Sequence, residues 1–291
     1  MAQRRHRNRG AAFVAVAAMS GAAAFGPGAA PVSAATGPCA NGQGYVLSWS
    51  DGLAVPFGNA AFQGGTSRFL TSPIVGIALT PTGDGYWQVA ADGGVFAFGD
   101  AQFQGSLGNV KLNKPIVGIA ATPTGDGYWL VASDGGVFAF GDAGFFGSAG
   151  GIQLAKPVVT IIATNSGDGY WLVASDGGIF SYGDAQFFGS LGGAPIAKPI
   201  VGGTTNRTGS GYWLVASDGG VFNYGATTFF GSAANLPLAK PVVGIANTFA
   251  GEGYWLAAAD GGIFSYGDAR FCGSSGATPG SPTAVVGITP F

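Results

Sequence analysis

The side chains of this chain that could carry chemistry fall into four series, each recurring about every 42 residues. Aspartates open D-G-G triplets at Asp92, Asp134, Asp176, Asp218 and Asp260, and lysines precede a proline at Lys114, Lys156, Lys198 and Lys240. A third series of acids stands between two glycines, at Asp84, Asp126, Asp168 and Glu252, and a fourth follows a glycine at Asp100, Asp142, Asp184 and Asp268. Catalysis has little to use among them. The one histidine, His6, lies at the extreme N-terminus, so no Ser-His-Asp or Cys-His arrangement is available further on and zinc lacks its usual nitrogen ligands. Paired carboxylates could serve glycoside hydrolysis, but each aspartate sits in a glycine-flanked turn, where its carboxylate accepts hydrogen bonds from its own backbone. Calcium asks for roughly six to eight oxygen ligands; one carboxylate per turn falls short unless turns of neighbouring units combine. The glycine pairs lie in hairpins rather than between a strand and a helix, so no phosphate loop is formed. The expectation is a non-enzyme with no catalytic residues, no metal site and no cofactor.

The element that must position these series is one repeat, marked by Tyr45, Tyr86, Tyr128, Tyr170, Tyr212 and Tyr254 at steps of roughly 41 and then 42 residues, a period within the range of blade-type repeats. In the unit 115–148, residues 116–121 form a β-prone run ending in a Thr-Pro-Thr-Gly-Asp-Gly turn. Tyr128-Trp129-Leu130-Val131-Ala132 is a second strand, Ser133-Asp134-Gly135-Gly136 a tight hairpin, and Val137-Phe138-Ala139-Phe140 a third strand. A short outer fourth strand is expected at Phe145-Phe146-Gly147-Ser148. Strand two is apolar on both faces, which describes a sheet covered on both sides rather than one facing water. Tyr128 and Trp129 could stack on sugar rings, but at a strand centre they read as core.

Four short strands per unit, packed between neighbours, describe a propeller blade; a β-solenoid is the other option, although about 42 residues with three turns is long for one coil. Six first strands, at about 74–79, 116–121, 158–163, 200–205, 242–247 and 284–289, give six blades. The chain begins at a second strand and ends with an orphan first strand. Pairing that strand with the N-terminal blade closes the ring and removes the exposed edges. The expected architecture is therefore all-β: a six-bladed β-propeller of about 42-residue four-stranded repeats over 45–291, preceded by a lead-in at 36–44 that contains Cys39. Cys272 replaces the second Phe of an F-F-G-S run in the last complete blade, a neighbour of the first blade in a ring, so a Cys39–Cys272 disulfide across the closure is expected.

Residues 1–35 read as an export signal. Arg4, Arg5, Arg7 and Arg9 precede an apolar run that Gly26, Pro27 and Gly28 break, and Val32-Ser33-Ala34 offers a cleavage site. Arg7 and Asn8 stand where a twin-arginine signal would turn apolar, which favours general secretion; a retained anchor is the alternative reading. No later segment is apolar enough to span a bilayer, so no membrane contact is expected once the leader is removed. Without those four arginines, the 12 basic residues fall to 8 against 14 acidic ones, a net charge near −6, which excludes the basic surface that nucleic acid requires. With 47% apolar and only 9% charged residues the chain has ample material for a core, and its two cysteines suit a secreted, oxidising location.

The runs DGGVFAFGD at 134–142 and FFGSLG at 187–192 resemble the blade repeats of propellers of the regulator-of-chromosome-condensation type. The whole unit is similar to a Gly/aromatic repeat of many exported actinobacterial proteins, and this second resemblance spans nearly the whole chain after the leader. It implies secretion and a propeller, with no defined activity. The histidine that often precedes the signature of the first family is missing here, and a shared scaffold carries no function by itself.

Strand parity then divides the charges between the two faces of the disc. Turns one–two and three–four collect Asp84, Asp126, Asp168, Glu252, Asp100, Asp142, Asp184 and Asp268 on one face, against Arg207 and Arg270. The D-G-G aspartates, with Asp51 of the matching D-G-L turn, share the other face with the lysines. The unit with Ser210 and Ala226 has lost both acids and gained Arg207, leaving a gap in the acidic face. The expectation is a monomeric, secreted binding or adhesion module that holds a cell-wall or extracellular glycan multivalently through the mixed face. The alternatives are a purely structural surface protein and a secreted hydrolase.

Overall fold

The computed structural model describes residues 39, 42–66, 70–275 and 283–291; the expected leader at 1–35 lies outside them. All regular structure among the described residues is strand. The first sheet uses β1 (Gly44–Trp49) and β2 (Ala54–Gly58). The second has β3 (Ile74–Leu79), β4 (Gly85–Ala90) and β5 (Val95–Gly99), and the third β6 (Ile116–Ala121), β7 (Gly127–Ala132) and β8 (Val137–Gly141). The fourth has β9 (Val158–Ala163), β10 (Gly169–Ala174) and β11 (Ile179–Gly183), and the fifth β12 (Ile200–Thr205), β13 (Gly211–Ala216) and β14 (Val221–Gly225). The sixth has β15 (Val242–Asn247), β16 (Gly253–Ala258) and β17 (Ile263–Gly267). The last strand, β18 (Val285–Pro290), joins the first sheet in the order β18-β1-β2, with Tyr45 opposite Pro290 and Leu47 opposite Ile288. The fold is a six-bladed β-propeller whose first blade is completed by the C-terminal strand.

Every ladder is antiparallel, and each middle strand is buried along its whole length because blades cover both of its faces. Each inner strand carries a bulge, as between Ile116 and Gly118 opposite Ala132 and Val131, which adds local twist. The inner strands wall a central channel of about 240 Å³, lined by residues such as Val75, Ile77, Val117, Ile119 and Thr204. At five of the six seams a tryptophan of one blade meets the tyrosine of the next: Trp129 and Tyr170 rings lie 5.7 Å apart, Trp171 and Tyr212 5.8 Å; between the first two blades Val46 takes the tryptophan's place against Tyr86.

A belt of backbone hydrogen bonds runs round the ring. The hairpin residue Ser133 donates its N–H to Pro115 O of its own blade at 2.9 Å and accepts Val158 N–H of the next at 2.9 Å. The same pair of bonds is made by Ala91, Ser175, Ser217 and Ala259. Ser50 completes it, donating to Ala284 O at 2.9 Å and accepting Ile74 N–H at 2.9 Å, so the belt has no break at the chain termini.

The sheets have three strands rather than the expected four. The run 145–148 is extended but joins no ladder, because aromatic side chains take its backbone groups. The Tyr170 hydroxyl accepts the Phe146 and Gly147 N–H groups at 3.1 Å and donates to Gly147 O at 2.6 Å, while Trp129 Nε1 donates to Gly144 O at 2.6 Å. Gly147, at φ 139°, adopts a backbone that a side chain would strain, and a Cβ there would strike the Tyr182 ring. The seam between the first two blades departs from the pattern in another way: Gln88 and Ser48 replace aliphatic residues and meet in a buried bond, Gln88 Nε2 donating to Ser48 Oγ at 2.9 Å.

Cys39 and Cys272 are buried and joined in the expected disulfide, with Cα atoms 5.1 Å apart across a sequence separation of 233. Loop-closure entropy for so long a loop sets an upper contribution of about 5 kcal/mol. Replacing both cysteines with serine should lower the melting temperature by roughly 10 °C while leaving a folded ring, as followed by circular dichroism; an unchanged melting temperature would show that the belt alone secures closure. A second expectation concerns alkali. Burial raises all nine tyrosine hydroxyls above their ordinary value, and on Tyr86 and Tyr128 the opposing backbone hydrogen bonds leave them at about 12. A folded-state value raised above the unfolded one gives stability that is complete below about pH 10 and is lost as pH rises towards about 12. Tyrosinate absorbance at 295 nm should therefore appear together with loss of the near-ultraviolet dichroism, and ionisation near pH 10 in a still-folded protein would contradict this packing.

Candidate functional site

The hairpin between the second and third strands brings the first two residue series together. Gly135, at φ 81°, lets the chain reverse, and the Asp134 carboxylate accepts the Gly136 N–H at 3.1 Å. Asp92, Asp176, Asp218 and Asp260 repeat this bond at 2.9–3.0 Å. One oxygen of each half-buried carboxylate is thus committed to its own turn, as the sequence implied. Asp92 also accepts the Thr71 hydroxyl at 2.7 Å. Burial acts to raise the Asp92 carboxyl, but the Gly94 amide, the Thr71 and Ser72 hydroxyls and its own amide outweigh it and hold it below the ordinary range. Its contribution to stability is present above the ordinary carboxylate value and is lost as pH falls through the lowered one.

Lys114, Lys156, Lys198 and Lys240 are exposed. The belt sets each Lys-Pro step between two hairpins: Pro115 is bonded to Ser133, beside Asp134, and Ile116 to Ala91, beside Asp92. Lysine and aspartate therefore alternate along the belt. The lysines occupy four consecutive positions of the six; Ser72 and Thr283 stand at the two positions flanking the closure. The mixed charge forms an arc rather than a full circle.

On the opposite face the fourth series is bound to partners that sequence reasoning did not foresee. Asp142 accepts the Thr122 hydroxyl at 2.9 Å and the Thr124 hydroxyl at 2.5 Å, and Asp100 accepts Thr80 and Thr82 at the same distances. Ser166 donates to Asp184 at 2.5 Å and Thr248 to Asp268 at 2.7 Å. These carboxylates clamp the first turn of a blade to the exit of its third strand. The third series, Asp84, Asp126, Asp168 and Glu252, is exposed at the tips of those turns. No group of three or more acidic, histidine or cysteine side chains among the described residues is arranged to hold a metal.

Sequence reasoning also missed a ring of phenylalanines. Phe62, Phe103, Phe145, Phe187, Phe229 and Phe271 stand one per blade in the segments that cross the seams, with exposure from 38% at Phe62 to 63% at Phe145. The residue after each faces inward and varies, from Gln63 and Gln104 through Phe146, Phe188 and Phe230 to Cys272, while the outward position is Phe every time. That invariance across repeats, at a place where packing asks for nothing, was the available signal. Tyr128 and Trp129, by contrast, are fully buried and belong to the core.

No helix among the described residues is long and apolar enough to cross a membrane. No family model matches the chain, and no curated protein matches it. The Asp–Thr clamp is open to a direct test: Asp142→Ala strips two hydroxyls of their acceptor and should cost about 1 kcal/mol, the exposed setting keeping the figure low. Asp126→Ala at the exposed turn tip should be neutral, and equal losses in the two variants would remove the distinction drawn between the series.

Proposed function

We propose that the protein is a non-catalytic, extracellular glycan-binding module that holds a polysaccharide at several blades at once. The observation that carries this reading is the ring of six outward phenylalanines. A buried aromatic is explained by packing, whereas these stand partly exposed, forgo burial that would stabilise the fold, and are repeated at all six seams. They stand singly, one per seam, with polar neighbours such as Gln102, Gln186 and Thr228. That arrangement suits sugar rings, which offer one C–H face to an aromatic plane and hydroxyls to the surrounding polar groups; a protein partner would want a continuous apolar patch. The lysine–aspartate arc supplies further donors and acceptors for hydroxyls on the neighbouring face. The similarity to exported actinobacterial repeats and the buried disulfide, a bond that persists in oxidising compartments, support a location outside the cell.

Repetition then does the binding. Each platform contributes little, and successive contacts on one chain add through effective concentration. Retention on insoluble cellulose, chitin and peptidoglycan tests the proposal. Phe145→Ser should weaken retention about fivefold, the equivalent of about 1 kcal/mol. Joint replacement of Phe103, Phe145, Phe187 and Phe229 by serine should abolish it with the melting temperature unchanged. Joint replacement of Lys114, Lys156, Lys198 and Lys240 by glutamine should have a smaller effect. Full retention by the four-phenylalanine variant would defeat the assignment to the rim, and failure of the parent to bind any of the polymers would leave the purely structural reading in its place.

A further inference from the structure

The acidic face lacks both acids at two blades, the first, which carries Gln43 and Asn59 in their place, and the fifth, where the gap is a cleft of about 520 Å³ beside the sixth blade. Where the second, third, fourth and sixth blades place the clamp carboxylate, the fifth has Ala226; where they place a threonine in the first turn, the fifth has Asn206. Asn206 restores the turn without a carboxylate. Its Nδ2 donates to Ala226 O and to Ser210 Oγ, both at 3.0 Å, and its Oδ1 accepts the Ser210 N–H at 2.9 Å and the Thr208 hydroxyl at 3.3 Å. The fold is thus satisfied here without the group that is missing, and the space it leaves is open.

The walls of the cleft are unlike one another. The sixth blade contributes Glu252 and Asp268, and the fifth contributes Thr227, with Phe230 and Trp213 as the apolar part, their rings 6.2 Å apart. Asp268 has one oxygen engaged by Thr248 at 2.7 Å, and the Thr227 hydroxyl spends its proton on Tyr224 O at 3.0 Å. Asn206 has no hydrogen-bonding capacity to spare. What remains available in the lining is therefore almost wholly acceptor: the Glu252 carboxylate, the second oxygen of Asp268 and the lone pairs of Thr227. Neither Arg207, which sits over the Phe249 ring at 5.1 Å from its centroid, nor Arg270 is part of the lining. A bare divalent ion needs several oxygens closing on one point, and the cleft offers two carboxylates, with no group of three or more acidic, histidine or cysteine side chains among the described residues arranged to hold one. The volume lies in the range of small organic ligands.

From this lining we infer that the cleft is a second, independent site for a small donor-rich cation with a carbon ring: an amino sugar with a free, protonated amine. The ammonium meets Glu252 and Asp268, the ring lies along Phe230, and the hydroxyls donate to Thr227. This site does not depend on the phenylalanine ring.

Calorimetric titration of the whole protein at pH 6 with glucosamine, N-acetylglucosamine and glucose tests the assignment. Glucosamine should bind with a stoichiometry of one, and the acetylated and neutral sugars at least tenfold more weakly, because neither brings a cation. Glu252→Gln should weaken glucosamine binding at least tenfold, and Ala226→Asp, which puts back the carboxylate found at this position in other blades, should do the same by occupying the cleft. Both variants should melt with the parent, and a Phe103→Ser, Phe145→Ser, Phe187→Ser variant, which keeps Phe229 beside the cleft, should bind glucosamine normally. Equal binding of the three sugars, no binding of glucosamine at millimolar concentration, or affinity unchanged in both cleft variants would overturn the inference.

Discussion

The tyrosine hydroxyl at each seam is the interaction on which the rest of this propeller depends. It reaches out of the middle strand of one blade and bonds the exit segment of the blade before it: Tyr86 to Gly64 O, Tyr128 to Gly105 O, Tyr170 to Gly147 O, Tyr212 to Gly189 O, Tyr254 to Gly231 O, and Tyr45 to Gly273 O. A blade of three strands needs something to cover its outer part, and a fourth strand would do so with a ladder. Here one buried side chain takes the place of that ladder. The consequence is a short exit segment held at one point, with alternate residues facing in and out, and this alternation is what sets a phenylalanine outward at every seam.

The two irregular seams show what the repeat tolerates. Between the first two blades the aliphatic pair is replaced by Ser48 and Gln88, which bond each other but leave Gln88 Oε1 without a partner among the described residues. A buried polar pair gives up apolar contact and pays part of it back as a hydrogen bond. Between the fifth and sixth blades the change is of a different kind: Asn206 bonds Ser210, Thr208 and Ala226 O, so the fifth blade's turn is held without a clamp carboxylate. One irregularity is a compromise in the core, and the other opens a cleft at the surface.

Much of the architecture was legible in the sequence because it rests on repetition and short-range chemistry. The tyrosine period, the Asp-Gly-Gly hairpins, the orphan strand at the C-terminus and the two cysteines each point to the ring independently. The fourth strand was not legible. Whether an extended run such as Phe145-Phe146-Gly147-Ser148 becomes a strand depends on which groups take its backbone hydrogen bonds, and the deciding group, the Tyr170 hydroxyl, comes from the next blade. The outward phenylalanines were hidden for a related reason, since two adjacent phenylalanines read alike until something shows which one the seam buries. The clamp aspartates were placed in turns correctly, but their partners are hydroxyls of an earlier turn, a pairing that only the sheet brings together.

The closure has a consequence for the order of events during folding. β1 meets its inner partner only in β18, so the first blade to leave the ribosome is the last to be finished. Until then β1 presents an unpaired edge and the belt is open at one link, a state in which strand edges invite pairing with other chains. Five of the sheets can form from neighbouring segments, whereas the first must wait for nearly the whole chain, and contacts so distant in sequence are slow to form. The Cys39–Cys272 bond joins the same two ends and can be made only after they have met, so oxidation records the completion of the ring rather than guiding it.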